Sequence, residues 1–324
     1  MFESFEHYWE SRKPYLDEAL RVQLVKLLHP VPKSKSAALH MALDGGKKLR
    51  GILLCMITED LGGEWKSALS RAVAVEMIQA ATLIHDDFVD QDRTRRNMPA
   101  VWTLEGAREA VLIGDVIFAS AIHLMSETGR EDGLVVSRAI AQISRGALME
   151  PGDPSAFIEQ MTSNSWRDNH YEKIIHLKTG VLFEAACELG AISAGVNEEI
   201  RLKCMRYGSL IGEAYQMADD VKEIKQHLLQ RRISAQQMAL LAPAVLYFDK
   251  EAFLFIRPIL LERTFAMVQR FWECLQSTVD LMEMEIQHRL DLAVAEIREV
   301  LPEKGHTSIG IKAPQELIAM FNLS

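Results

Sequence analysis

The chain has 324 residues, of which 48% are hydrophobic and 25% are charged, so it is long and apolar enough to form a large core. Its 45 acidic residues outnumber its 36 basic residues, and the resulting net charge of −9 argues against nucleic-acid binding driven by phosphate neutralisation. The composition also excludes a disordered chain, a collagen and a disulfide-rich scaffold.

The cysteines and the N-terminus indicate where the protein works. The four cysteines stand far apart and form no zinc or redox spacing, so we expect reduced core residues at Cys55, Cys187, Cys204 and Cys274. The first residues, MFESFEHYWESRKPY, are polar and acidic, and no uninterrupted apolar run reaches the roughly 18 residues that span a bilayer. These features predict a cytoplasmic protein without an integral membrane segment.

Helical periodicity of apolar residues recurs from one end of the chain to the other. Pro14 suits the first turn of a helix that carries Leu16, Leu20, Leu24 and Leu27, and Pro30 and Pro32 end that helix. Further helices are predicted over residues 36–43, 51–61, 66–92, 105–128, 132–149, 171–194, 198–229, 234–247 and 262–300. No alternating pattern indicates a strand, so the predicted fold is all-α.

The domain organisation is predicted to be simple. The interval Pro151 to Trp166 is polar and rich in helix breakers, which favours a long loop. No linker or abrupt change in composition divides the chain. We therefore expect a single domain over residues 1–324.

The first acidic cluster is HDDFVDQD, which follows the apolar segment VEMIQAATLI and holds Asp86, Asp87, Asp90 and Asp92. Asp86 and Asp90 share a helical face, and like charges at this spacing destabilise a helix by about 0.2–0.5 kcal/mol. A divalent cation would relieve the repulsion, and an all-oxygen set without His or Cys suits Mg²⁺. The alternative is a solvated acidic helix end.

A second acidic cluster repeats this spacing. Asp219, Asp220 and Glu223 lie in the mostly apolar segment AYQMADDVKEI, with Asp219 and Glu223 one helical turn apart. Two such clusters on core-like helices are harder to explain as surface charge than either one alone. The pair of clusters therefore predicts metal binding.

Basic residues accompany the acidic clusters in the sequence. They are Lys47, Lys48 and Arg50 behind Gly45-Gly46, Arg95 and Arg96 behind the first cluster, and Lys178 in the segment KTG. Arginine binds phosphate oxygens in pairs and lysine supplies a compact charge. Carboxylates for a metal, cations for an anion and long apolar helices together predict a site for a diphosphate with a hydrophobic tail.

The sequence resembles the trans-isoprenyl diphosphate synthases, also called polyprenyl synthetases. The segments GGKKLR, EMIQAATLIHDDFVDQDRTRR, IGD, KTG and YQMADD stand in the order of that family over residues 40–225. The most specific of them is DDxxD followed by Arg95-Arg96. The resemblance implies an all-α helical bundle around a deep apolar cavity, usually in a homodimer, with both acidic clusters at the mouth of the cavity.

The resemblance also implies roles for individual residues. Three Mg²⁺ ions are expected with diphosphate bound, held by Asp86, Asp90 and Asp219 with support from Asp87, Asp220 and Glu223. Contacts with the allylic diphosphate are expected from Arg95, Lys178 and Gln216. Contacts with isopentenyl diphosphate are expected from Gly46, Lys47, Arg50, Gln79 and Arg96. Thr179 is expected beside the reacting carbon.

The implied reaction is a 1′-4 head-to-tail condensation that gives an all-trans polyprenyl diphosphate. The allylic carbon–oxygen bond ionises, the double bond of isopentenyl diphosphate attacks the cation, and a proton is lost. Charge stabilisation carries most of the catalysis, and no protein nucleophile is needed. His85, beside Asp86, is therefore interpreted as structural rather than as a base.

The sequence also departs from the family pattern. The third acid of the second cluster is Glu223 where the family has Asp, and the stretch IKQHLLQRRISAQQMALLAPAV lacks the family's Gly-Lys segment, although Arg231 or Arg232 could replace one cation. The residue after Gly146 is Ala147 instead of a polar one, and Glu150 could add a carboxylate near the metals.

These departures leave alternatives open. One is a diverged, weakly active or non-catalytic subunit of a heteromeric prenyl synthase, although retained acids on apolar helices favour catalysis. A terpene cyclase or squalene synthase is disfavoured by GGKKLR and the Arg95-Arg96 pair. A di-iron bundle is disfavoured because Glu-x-x-His pairs are not evident.

The length of the product follows from a position on the first acidic helix. Ala81 precedes Asp86 by five residues and so lies roughly 7.5 Å deeper along the helix. Because Ala81 and its neighbour Thr82 are small, they leave the cavity open, which predicts products of C20 or longer. The alternative is a floor formed from the next helix by Phe118, Ile122 or His123.

Overall fold

The computed structural model describes residues 2–27, 36–150, 153–162, 169–261, 269–301 and 308–322, and these residues are almost entirely helical. The helices are α1 (Phe5–Leu27), α2 (Ser36–Leu43), α3 (Leu49–Asp60), α4 (Leu69–Val89), α5 (Val101–Glu105), α6 (Ala107–Thr128), α7 (Arg130–Met149), α8 (Pro154–Thr162), α9 (His170–Ile175), α10 (Val181–Ala194), α11 (Glu198–Gln230), α12 (Ala235–Phe248), α13 (Phe253–Leu260), α14 (Gln269–Arg298) and α15 (Ile309–Asn322). The all-α prediction is confirmed.

Three kinds of short element join these helices. Tight 3₁₀ turns cover Trp65–Ala68 and Lys250–Ala252, and a wider π-helical turn covers His176–Gly180. One antiparallel hairpin pairs β1 (Thr94–Arg95) with β2 (Met98–Pro99). The sequence predicted no strand, because a strand of two residues is too short to show an alternating pattern.

The described residues pack into two compact units, each built from separate stretches of the chain. Unit 1 comprises Met1–Ala141, Leu182–Gly208 and Val294–Leu317, and unit 2 comprises Gln142–Val181, Ser209–Ala293 and Ile318–Ser324. The single domain expected over residues 1–324 stays a prediction.

In unit 1, helices α3 and α4 form the core. The segment from Ile52 to Thr58 is buried all round, as is most of α4 from Ala72 to Ile78. Gly51 brings the two helices close, because a Cβ there would lie 3.0 Å from the side chain of Glu76, whose carboxylate accepts the Gly51 amide at 2.8 Å. α4, whose C-terminal end carries the first acidic cluster, also packs along α6.

In unit 2, the core is formed around α11 and α12. Met217, Val221 and Ile224 of α11 join a buried cluster with residues of α12 and α14. α12 begins with a capping box in which Ser234 and Gln237 satisfy each other's backbone amides. Because α11 is anchored along this apolar face, its other face can carry the polar residues of the second acidic cluster.

Several predicted helix boundaries were wrong. α1 starts at Phe5, so Pro14 lies inside the helix rather than in its first turn. The burial of Phe5 and Tyr8, which continue the apolar stripe ahead of the proline, accounts for this extension. The predicted stops at Pro30 and Pro32 lie outside the described residues. Two helices that the sequence did not predict, α13 and α15, occupy the C-terminal third.

The predicted loop over Pro151 to Trp166 contains helix α8. Pro154 occupies its first turn, and the carboxylate of Asp153 accepts the amide of Ala156 at 2.8 Å, as an N-cap does. Pro151, Gly152 and residues 163–168 of this interval lie outside the described residues.

Among the residues that the structure describes, two helical stretches are long and apolar enough to cross a membrane by length and composition, Trp65–Val89 and Ala107–Thr128. Neither stretch is an uninterrupted apolar run, because polar residues such as Gln79 and Asp115 interrupt them. The first stretch is a largely buried core segment of unit 1, and core helices of globular proteins commonly have this length and composition. The absence of an integral membrane segment stays a prediction.

Candidate active site

The first acidic cluster lies where α4 ends. Asp87 is buried, and its Oδ1 accepts a hydrogen bond from Nε of Arg95 at 2.7 Å and a second bond from the same guanidinium. Burial alone would lower the pKa of Arg95, but the hydrogen bond and charge of Asp87 raise it overall. Asp87 therefore holds Arg95, which the hairpin presents from β1, beside the end of the helix.

Asp86 and Asp90 lie on the wetter side of the same helix end. Asp86 is half-buried and Asp90 is exposed, and the amide of Asp90 donates to the carbonyl of Asp86 at 2.8 Å. Within the described parts of the chain, no three His, Cys, Asp or Glu side chains stand together as a ready-made metal cage. Mg²⁺ commonly binds one or two carboxylates and completes its shell with water and substrate phosphate, so this donor set fits that ion.

The glycine-rich loop and the second arginine of the pair meet in unit 1. Gly45 and Gly46 both have φ of +73°, and a Cβ on Gly46 would lie 2.6 Å from Nη2 of Arg96. Nη1 of Arg96 donates to the carbonyl of Asp44 at 3.3 Å. Two segments that are about fifty residues apart in the sequence, GGKK and RR, are therefore in contact.

The other residues expected to bind isopentenyl diphosphate also belong to unit 1. Lys47 is half-buried, and its carbonyl accepts the indole N–H of Trp9 at 2.5 Å. The guanidinium of Arg50 stacks over the ring of Phe183 at 4.4 Å, and Gln79 is half-buried on α4.

Lys48 differs from its neighbour Lys47. Its ammonium group is buried and donates to the carbonyl of Leu43 at 2.7 Å, and burial lowers its pKa. Lys48 also has a left-handed backbone, with φ of +54°. This lysine therefore stabilises the loop through its buried hydrogen bond to Leu43. The expectation that Lys48 is one of the cations that bind an anion is not supported by this position.

The second acidic cluster lies on α11 in unit 2. Asp219 is exposed, whereas Asp220 accepts hydrogen bonds from the hydroxyl of Tyr171 at 2.6 Å and from Nε2 of Gln216 at 3.0 Å. Burial raises the pKa of Asp220 to about 7, although the two hydrogen bonds oppose that shift. Glu223 lies 3.7 Å from Nε2 of His227, and burial raises the pKa of Glu223.

The KTG segment forms most of the π-helical turn in unit 2. Thr179 is buried, and its hydroxyl donates to Oε1 of Gln216 at 2.6 Å. The ammonium group of Lys178 donates to both oxygens of Glu150, at 2.7 and 2.9 Å. Thr179, Gln216 and Asp220 therefore form one hydrogen-bonded chain, and the predicted extra carboxylate, Glu150, contacts Lys178.

Comparison with known proteins identifies the family. The polyprenyl synthetase family matches residues 32–229. The chain belongs to the polyprenyl synthetase family. The predicted family and the predicted enzyme class, a prenyltransferase, are thereby confirmed.

Two curated relatives illustrate the similarity. A geranylfarnesyl diphosphate synthase of Methanosarcina mazei is 31% identical over 66% of this chain and 69% of its own length. A geranylgeranyl diphosphate synthase of the same organism is 32% identical over 66% of this chain and 65% of its own length. The matched region thus spans about two thirds of each relative.

Solved structures share the fold of this polyprenyl synthetase. A decaprenyl diphosphate synthase from Rhodobacter capsulatus is 20% identical, with a TM-score of 0.78 over 98% of this chain and 99% of that one. A polyprenyl synthase from Caulobacter crescentus, complexed with calcium and isoprenyl diphosphate, is 24% identical, with a TM-score of 0.77 over 98% of both chains. At these identities the likeness supports the fold alone.

The residues expected to set product length in this polyprenyl synthetase lie on α4 and α6. Ala81 is fully buried, and the hydroxyl of Thr82 donates to the carbonyl of Gln79 at 2.8 Å. Phe118 meets the ring of His85 edge-on, with centroids 5.6 Å apart. Nε2 of His85 also lies 3.1 Å from the carbonyl of Val111, in contacts that agree with a structural role.

Arg231 is one of the two arginines predicted as a replacement for the missing downstream cation. Its guanidinium lies 5.4 Å from the ring centroid of Trp272, beside a cavity of about 490 Å³ in unit 2. The cavity is lined by Lys225, Leu228, Leu229, Arg231, Gln269, Trp272, Glu273 and Gln276. This arginine therefore packs on an aromatic ring, and a role in binding diphosphate stays a prediction.

Sequence reasoning missed one polar network of the site. His176, Ser209, Glu213 and Arg289 contact one another beside the KTG turn. The spacing of Glu213, Gln216 and Asp220 on α11 places all three on one helical face and was an available signal. No comparable signal pointed to Arg289, which comes from α14.

Proposed function

We propose that this polyprenyl synthetase condenses isopentenyl diphosphate with an allylic diphosphate, head to tail, and releases an all-trans polyprenyl diphosphate of C20 or longer. One observation carries the proposal most directly. The end of the helix that bears Asp86 and Asp90 is followed by a hairpin whose Arg96 contacts Gly46 of the GGKK loop. Carboxylates for a metal and cations for an anion thus stand together in unit 1.

The two substrates are assigned to different residues. Gly46, Lys47, Arg50, Gln79 and Arg96, all in unit 1, are proposed to bind isopentenyl diphosphate. Arg95, Lys178 and Gln216 are proposed to contact the allylic diphosphate, with Thr179 near the reacting carbon. The hydrogen bond from Thr179 to Gln216 supports the placement of these two residues in the same part of the site.

The proposed chemistry begins when the allylic C1–O bond breaks and its electron pair leaves with the diphosphate. The double bond of isopentenyl diphosphate then attacks the cationic carbon to form a carbon–carbon bond, and a proton is lost from the adduct. Bound Mg²⁺, proposed as three ions, would supply positive charge to the departing diphosphate. Arg95 and Lys178 would add fixed positive charge that needs no reorganisation.

Asp86, Asp90 and Asp219 are proposed as direct metal ligands. The exposure of Asp90 and Asp219 supports this assignment, because a hydrated metal ion can reach exposed residues. Asp87 and Asp220 already hold Arg95, Tyr171 and Gln216, and these contacts favour a supporting role. Glu223 is retained as a further supporting acid.

Product length is proposed to be set along α4. Ala81 and Thr82 are small, so they leave room for a long chain, and Phe118 of α6 is the candidate for the floor. A chain of C20 or longer also agrees with the names of the two Methanosarcina relatives, geranylfarnesyl and geranylgeranyl diphosphate synthase.

A homodimer and a cytoplasmic location are proposed as well. The outer face of α6 supports the dimer, because Val111, Leu112 and Val116 are 38%, 46% and 41% exposed. Exposed apolar side chains grouped on one helix are typical of a protein interface. The acidic net charge argues against nucleic-acid partners.

The test of the proposed function is an elongation assay. Purified protein is supplied with Mg²⁺, isopentenyl diphosphate and, in turn, dimethylallyl, geranyl, farnesyl or geranylgeranyl diphosphate, and product length is measured. We expect elongation of at least one primer to C20 or longer. Failure with every primer, in protein of native helical content, would contradict the proposal.

The alternative is a diverged subunit of a heteromeric synthase. It is favoured by the contact of Lys178 with Glu150 and by the packing of Arg231 on Trp272, because each cation already has a partner within the protein. The same assay separates the two functions. No turnover alone, but turnover when a homologous synthase from the same source is added, would support the subunit.

A further inference from the structure

The π-helical turn His176–Gly180 interrupts an otherwise helical stretch from His170 to Ala194. Wide turns of this kind are rare in proteins, and those that occur are often found at functional sites. This turn carries Lys178 and Thr179, two residues of the proposed site. Any group that holds the turn therefore also determines where these two side chains point.

One face of α11 holds the turn at two places. Nδ1 of His176 lies 3.0 Å from Oγ of Ser209 and 3.0 Å from Oε1 of Glu213. Three residues beyond Glu213, Gln216 accepts the hydroxyl of Thr179. The first and fourth residues of the turn are thus attached to consecutive positions along the same helical face.

Arg289 of α14 anchors the Glu213 end of this arrangement. Its guanidinium pairs with Oε2 of Glu213, and its Nε lies 2.9 Å from Oε1 of Glu285. The side chains of Arg289 and Glu213 are only 11% and 12% exposed. A buried charge left without its partner is strongly unfavourable, so each group fixes the other.

Close packing leaves the turn little freedom. A Cβ on Gly180 would lie 3.2 Å from Cγ of Glu213 and 3.2 Å from Nδ1 of His176. On another side, a Cβ on Gly146 of α7 would lie 2.7 Å from Cβ of Leu177. The backbone of the turn is therefore in direct contact with both helices, and a shift of His176 has to move Lys178 and Thr179.

We propose that His176, Glu213 and Arg289 form a positioning network that holds the π-helical turn so that Lys178 and Thr179 are oriented toward the allylic diphosphate. The inference rests on the proposed function and adds three positioning residues to it. They act through the turn and are not assigned a contact with substrate.

The test uses a matched pair of variants at His176. His176→Asn keeps an N–H donor near the position of Nδ1, whereas His176→Leu removes it. Hydrogen exchange of the amides in residues 177–181 is measured together with kcat and with KM for each substrate. For His176→Leu we expect exchange to rise about tenfold and kcat to fall about 10- to 100-fold, since small misplacements of positioned groups have effects of this size.

The expected pattern is specific. KM for isopentenyl diphosphate should stay within about twofold of wild type, because the residues assigned to that substrate belong to unit 1. His176→Asn should restore most of the protection and of kcat. Glu213→Gln should behave like His176→Leu and serves as the second variant if His176→Leu does not fold. Glu283→Gln on α14, which alters an exposed pair with Lys225 of α11, is the control that should change neither quantity.

The remaining outcomes would contradict either the positioning network or the proposed function. Equal effects of Asn and Leu at position 176, or unchanged exchange in both His176→Leu and Glu213→Gln, would overturn the network. Faster exchange with an unchanged kcat would make the contacts structural and would also overturn the positioning role. If the wild-type protein elongates no primer, the proposed function fails, while the exchange measurement still decides whether the network holds the turn.

Discussion

Asp87 and Asp220 occupy the same position in the two acidic clusters, but different groups hold them. In unit 1, Asp87 is paired with the guanidinium of Arg95. In unit 2, Asp220 is held by the neutral donors Tyr171 and Gln216, and burial raises its pKa to about 7. Asp87 thus forms a direct charged pair, whereas Asp220 accepts its hydrogen bonds from neutral groups.

This difference shows what the spacing of a motif does and does not determine. Both clusters place two acids one helical turn apart, so they look alike in sequence. The partner of the middle acid comes from elsewhere in the fold, from a hairpin in unit 1 and from α9 in unit 2. We therefore expect activity to require the outer acids of both clusters, such as Asp86 and Asp219. Substitution of the middle acids, Asp87 and Asp220, should change stability by different amounts.

The largest expected effect comes from removing an outer acid in either cluster. Asp86→Ala and Asp219→Ala should each reduce kcat by about 100- to 1,000-fold, because each removes a proposed metal ligand that stabilises the leaving group. Elongation is measured at saturating Mg²⁺, and circular dichroism reports helical content.

Exposed acids outside the clusters provide controls for these variants. Glu127→Ala in unit 1 and Asp280→Ala in unit 2 should keep wild-type rates, since Glu127 is an exposed partner of His123 and Asp280 is an exposed acceptor for Gln276 on the same helix. Wild-type rates in both Asp86→Ala and Asp219→Ala would refute the metal assignment.

A substitution on α4 tests whether the helix of the first cluster also sets chain length. Ala81→Phe should shorten the product by at least one isoprene unit, because the ring occupies space that the growing chain is proposed to need. Product length is determined by mass spectrometry. Ala81→Ser, which hardly changes volume, is the matched control and should leave the product unchanged. The same product from Ala81→Phe would place the floor elsewhere.

Local patterns in the sequence were sufficient for much of the fold. The apolar periodicity of α6 and α11 predicted both helices to within about two residues at each end, because their buried faces are continuous. Helix α8 was missed although Asp153 and Pro154 form a recognisable helix start. The signal for a helix start was present, but the many helix breakers around it led to the prediction of a loop.

The rest depended on contacts between distant segments. The π-helical turn looks like ordinary helix in the sequence, and its shape accompanies the close approach of Gly146 and the attachment of His176 to Glu213. Similarly, Lys47 and Lys48 are adjacent and chemically alike, but the left-handed backbone at Lys48 directs its ammonium group inward to Leu43. Neither feature follows from spacing within one segment.

The middle acids should differ in their contribution to stability. In the absence of divalent cations at pH 7, Asp87→Asn should lower the free energy of unfolding by about 1–2 kcal/mol, because a charge-assisted bond to Arg95 is weakened. Asp220→Asn should lower it by less than about 1 kcal/mol, because the amide resembles the protonated acid and its partners are neutral. Urea unfolding measures both values, and equal losses would mean that the neutral environment of Asp220 has no energetic consequence.

The smallest effects concern pH, where a buried acid of each unit should act in opposite directions. Burial raises the pKa of Asp60 in unit 1 above 3.8, despite hydrogen bonds from Ser308 and Gly310. The folded state then binds more protons at Asp60 than the unfolded state, so stability from this group falls as pH rises through its pKa. For Glu213 in unit 2, burial is outweighed by His176 and Arg289, and the pKa is lowered from 4.5. Its contribution is present above pH 4.5 and is lost as pH falls through the lowered pKa.

The contributions of Asp60 and Glu213 are distinguished by measuring the free energy of unfolding between about pH 3 and 7. One group can change this free energy by at most about 1.4 kcal/mol per pH unit. Asp60→Asn should reduce the decline toward neutral pH, because the amide keeps an acceptor for Ser308 and Gly310 but cannot ionise. Glu213→Gln should reduce the loss on acidification. If the two variants change the profile in the same direction, the charge environments of these carboxylates are not opposite, and the contrast between the units does not extend beyond their acidic clusters.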